Sequence, residues 1–231
     1  VTGVQTCALP ILLNGLNDHH LLSLFITTIA NFDDTFLDRL SKYGFFNDLT
    51  RRKYDAYLRP KTITYPYYEF LRLASMKLNL SYFTKHEKGI FSIDKVISSL
   101  DKRLANYIIK EYFPKMRAVY AYEDAAYHSF LAAQKINLKK IYDLPIGYWR
   151  AAHHYLMLER DRLPDWAPTL TGLKNSDIKC KRKDKELELA DIVLVASNFT
   201  ASTLEFCNIR PQNVHIIPYG FPNPNFEGKD Y

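Results

Sequence analysis

The chain has 231 residues, 47% hydrophobic and 24% charged, with a net charge of +6. Those proportions exclude a disordered chain, collagen and a coiled coil. No run reaches the roughly 18 apolar residues of a membrane span. Three cysteines without a CxxC pair exclude a disulfide framework and a zinc ribbon.

Residues 1–11 read VTGVQTCALPI, an uncharged string without a period or a helix cap. It resembles a translated sequencing-library adapter, and it lacks the basic start of a signal peptide. The folded domain is therefore expected from residue 12, and the natural chain is expected to start upstream. Residues 12–20 suit the tail of a helix, and the apolar, β-prone residues 21–29 suit a buried strand. Residues 31–64 suggest short helices and loops. Tyr67, Phe70, Leu71, Ala74 and Leu78 share one helical face. Ser92 caps and Pro114 closes a helix over residues 92–112.

From residue 118 the period changes. Residues 118–122, 140–143, 192–196 and 214–217 predict strands, and residues 125–135, 145–160, 177–190 and 200–207 predict helices between them. Pro145 suits a first helical turn. The run Ile192-Val-Leu-Val-Ala196 is apolar throughout, as in a parallel sheet covered on both faces. This alternation predicts an α/β fold: a doubly wound, mostly parallel, Rossmann-like sheet. Residues 12–220 form that domain, with a helical insert at about 51–113. Residues 221–231, rich in Pro and Gly, read as a linker.

Ligands of such sheets sit at the carboxyl ends of the strands. That rule selects Tyr122, Glu123 and Asp124, then Asp143 to Gly147, then Ser197 to Thr200, and finally residues 218–220. Adjacent Glu123 and Asp124 diverge, so they are no glycosidase acid/base pair. One carboxylate suffices to hold a sugar hydroxyl. For Asp143 and Ser197 helix capping is the competing reading, and for Asp124 it is the favoured one. Gly is scarce, at 8 residues, and neither GxGxxG nor GxxxxGK[ST] occurs. His153 and His154 are neighbours on a helix and point about 100° apart, so they cannot share a metal ion.

Charge is uneven. Residues 51–103 hold twelve Lys/Arg against five Asp/Glu, interleaved with aromatics. Two readings stand open. One is contact with an anionic membrane surface or phosphorylated acceptor. The other, commoner one is a solvated basic face with the aromatics turned inward. No recognised nucleic-acid motif accompanies this charge, so nucleic acid is not an expected partner.

Residues 182–200 (RKDKELELADIVLVASNFT) and 214–220 (VHIIPYG) resemble a family 4 glycosyltransferase. The charged helix, Ala-Asp, apolar strand, Ser-x-Phe-Thr and Ile-Pro-Tyr-Gly fall in the family's order. Residues 118–124 (AVYAYED) and 141–145 (IYDLP) fit its two preceding strands. Residues 12–117 fit only loosely. The resemblance implies the acceptor-binding half of a two-domain, retaining enzyme. Such enzymes transfer a sugar from a nucleotide-sugar donor to a glycan, lipid or small-molecule acceptor. They need no metal or other cofactor. The donor is held mainly by a second domain, so the present segment is expected to be inactive alone. Tyr122 and Glu123 are then the expected catalytic or sugar-contacting residues, although many relatives have His where Tyr122 stands. Asp124, Asp143, Gly147, Ser197, Thr200 and Gly220 are the expected substrate-binding positions. The implied location is cytoplasmic, with peripheral contact at the inner membrane face through residues 51–103. The alternative is a non-catalytic α/β carbohydrate- or ligand-binding module.

Overall fold

A computed structural model describes residues 8–110 and 116–220. Residues 1–7, the proposed closure of a helix by Pro114 and the proposed linker at 221–231 lie outside them. The chain begins with α1 (Ala8–Asp18), β1 (Phe25–Thr27) and α2 (Phe36–Ser41). Two 3-10 segments, Gly44–Arg52 and Ala56–Lys61, lead to β2 (Thr62–Thr64). Next come α3 (Tyr67–Lys77), α4 (Ser81–Thr84) and the long α5 (Ile93–Lys110). The second half alternates regularly: β3 (Ala118–Tyr122), α6 (Tyr127–Lys135), β4 (Lys139–Leu144), α7 (Trp149–Arg162), α8 (Asp177–Leu189), β5 (Ile192–Val195), α9 (Asn198–Thr203) and β6 (Val214–Ile216).

All strand pairs are parallel. One sheet has the order β3-β4-β5-β6, and β1 and β2 form a second. The two occupy one layer, because their alternate faces share the same cores. Ile26 of β1 packs with Val119 and Ala121 of β3, while Phe25 packs with Tyr120 and Tyr122. The first core is closed by α5, α6 and α8 through Leu100, Leu104, Phe130, Ala133 and Leu187. The second is closed by α1 through Leu9 and Leu13, and by Phe32, Tyr54 and Leu58. Helices on both faces of a parallel sheet are the Rossmann-like α/β arrangement the alternation predicts. Ala8–Ile11, within the adapter-like string, start α1, and Leu9 is fully buried.

Three features differ from the sequence reading. The basic insert contributes a strand: Ile63 of β2 pairs with Ile26 of β1. Three β-branched residues, Thr-Ile-Thr, are too few to show a period. Helix α7 starts at Trp149, so Pro145 belongs to the turn before it. There the Tyr148 N–H is taken by Thr203 Oγ1 at 2.9 Å. The apolar face of α3 forms but looks outward. Its buried side is polar, because Glu69 is 1% exposed and gathers Arg52 and Arg72, with Ser75 buried two turns on.

Candidate functional site

The carboxyl ends of β3 to β6 open into a cleft of about 190 Å³. Tyr120, Tyr122, Asp143, Ala196, Tyr219 and Gly220 line it, and Ile11 and Leu12 of α1 close one side. Strand alternation explains the pair of phenols. Tyr120 and Tyr122 are two residues apart on β3, so they share a face. Their rings meet edge to face at 5.7 Å. Asp143 lies opposite Tyr122 in the β3–β4 register and accepts a hydrogen bond from the Tyr120 hydroxyl. Burial raises the Asp143 carboxyl above its ordinary value, and the Tyr120 hydroxyl works against that rise. Burial, and then the Asp143 charge, hold the Tyr120 hydroxyl far above the usual phenol range. The cleft thus offers the accessible edges of two largely buried phenol rings, one buried carboxylate and residues 217–220.

Glu123 lies one residue beyond Tyr122, and alternation turns it to the other side of the sheet. There it meets α8: Lys183 Nζ stands 2.9 Å from its Oε2. Both side chains are buried. Burial lifts the Glu123 carboxyl, with Lys183 opposing. Burial pulls Lys183 down, but Glu123 and Asp124 outweigh it and keep the amine charged. Glu123 touches the cleft only through its backbone, where its N–H donates to the Asp143 carbonyl at 3.0 Å. The structure therefore removes the Glu123 carboxylate from the expected sugar-contact position.

Asp124 has φ +72°, in the left-handed region where Asp is one of the few tolerated side-chain residues. That turn aims its N–H at Glu186 Oε2, 2.8 Å away, and its carboxylate at Arg182 Nη2, 2.9 Å away. It does not cap α6. The amides of His128 and Ser129 are instead bound by the Asp101 carboxylate of α5, at 2.6 and 2.9 Å. Glu123, Asp124, Arg182, Lys183 and Glu186 form one buried ionic cluster between β3 and α8. Burial, followed by the Asp124 charge, pushes the Glu186 carboxyl up to about 8.

Ser197 is a helix cap, its Oγ accepting from the Thr200 N–H at 3.1 Å. Thr200 is buried beneath it. Gly147 packs against the same helix: a Cβ there would lie 3.3 Å from Thr203 Cγ2. These three residues build the α9 corner and do not line the cleft. Gly220 does line it, and a Cβ on it would approach Ile11 Cγ2 to 3.2 Å. Of the eight expected site residues, the structure gathers Tyr122, Asp143 and Gly220. It sends Glu123 and Asp124 to the ionic cluster, and Gly147, Ser197 and Thr200 to the corner.

Sequence reasoning missed Tyr120, which the period of two along β3 marks once Tyr122 is chosen. It also missed Lys179, Lys183 and Glu186. Their i, i+4, i+7 spacing is a buried-face signal written in charged residues. Among the described residues, no group of three or more His, Cys, Asp or Glu side chains is placed to hold a metal ion. No helix among the described residues is long and apolar enough to cross a membrane. Neither a protein-family model nor a curated protein matches this chain.

Proposed function

We propose that this chain is the acceptor-binding domain of a retaining glycosyltransferase that uses a nucleotide-sugar donor. The observation that carries the reading is the cleft at the carboxyl ends of β3 to β6. There Tyr120 and Tyr122 line the wall beside the Asp143 carboxylate. A sugar has apolar C–H faces and a rim of hydroxyls. Aromatic rings suit the faces, and a buried carboxylate suits a hydroxyl through a charge-assisted hydrogen bond. The segments that resemble family 4 enzymes fold as α8-β5-α9 and β6, and β5 and the residues after β6 border the cleft. In this reading Tyr122 and Asp143 contact the sugar, and Gly220 lets the chain pass close to α1. Glu123 is a positioning residue, acting through its N–H on the Asp143 carbonyl. Chemistry then rests on orientation and electrostatics more than on acid/base transfer. The donor would be held by a second domain of the family's kind.

Two observations favour a second reading, a carbohydrate-binding module without turnover. The Glu123 carboxylate is tied to Lys183, and a phenol stands where many family members have an imidazole. Titration against oligosaccharides and nucleoside-diphosphate sugars tests both readings. Asp143→Asn, which removes the charge, and Tyr122→Leu, which removes the ring, should each weaken sugar binding by about tenfold, the effect of losing about 1.4 kcal/mol. Unchanged binding in both variants refutes the cleft as the sugar site. Binding without transfer, in the complete protein supplied with donors, selects the module.

A further inference from the structure

The segment between Pro66 and Ser92 has an unusual surface. Its large apolar side chains point out: Tyr67 is 75% exposed, Leu78 63%, Tyr82 81% and Ile90 56%. Leu71 and Leu80 are exposed as well. Tyr67, Leu71 and Leu78 follow i, i+4 and i+11, so they form one stripe along α3 and its end. The segment's two acids are both turned inward. Glu69 is buried with Arg52 and Arg72, and Glu87 accepts the Ser176 N–H at 2.8 Å. Lys85 and Lys88 remain exposed, and the half-exposed Asp48 beside Leu71 is paired with Lys77 at 3.4 Å, so the outward face is apolar with a net positive charge.

This face is preformed. The Phe83 ring packs on Phe91 at 6.1 Å, and Phe91 on Tyr68 at 6.5 Å, joining α4 to α3. The Phe91 N–H donates to the Phe83 carbonyl at 2.9 Å. Gly89 allows that crossing, because a Cβ there would sit 2.3 Å from the Phe83 carbonyl oxygen. The hairpin is tied to the sheet domain by Asp94, which accepts from Lys179 Nζ at 2.6 Å. An ordered apolar face kept outward against the hydrophobic effect calls for an apolar occupant. Its net positive charge selects an anionic one.

We propose that the α3–α4 hairpin docks on an anionic lipid bilayer. Leu78, Leu80 and Tyr82, at the tip between the two helices, enter the interface. Lys85 and Lys88 meet the headgroups, as short basic segments do at anionic surfaces. Nucleic acid is disfavoured as the occupant, because aliphatic Leu71, Leu78, Leu80 and Ile90 offer its phosphates nothing. The proposal is independent of the sugar-binding reading and concerns a different surface.

Flotation of the chain with two kinds of vesicle tests it. One is phosphatidylcholine alone; the other is phosphatidylcholine and phosphatidylglycerol in equal parts. The chain should float with the mixed vesicles and not with the neutral ones, and added salt should weaken binding. Each lysine near such a surface is worth about fivefold, so Lys85→Gln with Lys88→Gln should cost roughly twentyfold. Leu78→Ser with Tyr82→Ser should cost at least about tenfold through lost apolar burial. Both pairs are exposed, so their thermal unfolding should match the parent's. Equal partitioning on the two vesicles, or full binding by either variant, overturns the proposal. A dimer in sedimentation that Leu78→Ser dissolves also overturns it, making a second copy the occupant.

Discussion

Glu186 gives the sharpest test of the ionic cluster. It is fully buried on α8. Its Oε2 accepts the Asp124 N–H at 2.8 Å, and its Oε1 has no hydrogen-bond partner among the described residues. Burial and the Asp124 charge raise its carboxyl from 4.5 to about 8. The unfolded chain releases that proton near 4.5, so between there and about 8 only the folded state keeps it. A raised acid contributes stability that is complete below the unfolded value and is lost as pH climbs to the folded one. Each pH unit is worth up to about 1.4 kcal/mol. From about pH 5 to about pH 8 the ceiling is therefore about 4 kcal/mol. Glu186→Gln keeps the acceptor for the Asp124 N–H and has no proton to lose. Urea unfolding of parent and variant across that range should show the parent losing roughly 2–4 kcal/mol relative to the variant. Parallel stability curves would mean that the carboxyl is ionised when folded, and the argument from burial would fail.

Two further outcomes follow from the same contacts. Lys183→Met leaves the Glu123 carboxylate buried without its cation, and should cost about 3–5 kcal/mol in chemical denaturation. Adding Glu123→Gln should return most of it, and a double variant no better than the single one would show that the pair does not act as a unit. Asp101→Ala strips the first amides of α6 of their acceptor and should cost about 2 kcal/mol, seen as a lower midpoint in thermal circular dichroism. An unchanged midpoint would show that water replaces the carboxylate without loss.

The sequence revealed the second half of the fold well, because most elements there carry an apolar run, a cap or a helical length. The apolar run at β5 and the Ser197 cap of α9 are both where local chemistry puts them. The first half was harder. Strand β2 has three residues, and α3 turns its apolar stripe away from the core. A period shows which residues share a face but not which way that face looks. The site divided along the same line. Tyr122, Asp143 and Gly220 lie at strand ends, where the topological rule places ligands. Glu123 follows the same strand, yet its side chain belongs to Lys183, and a partner 60 residues away in sequence leaves no local trace. The same is true of Asp124, whose expected capping role passes to Asp101 of a different helix.

That last contact bears on the order of folding. A helix capped by its own preceding residue can begin its first turn alone. Helix α6 draws its cap from α5, across the face where α5, α6 and α8 close the first core. Its start is therefore completed by docking, and the β3-α6-β4 unit is not an autonomous seed for the sheet. Formation of α6 should track the arrival of α5, so that substitutions at Asp101 slow folding more than they speed unfolding.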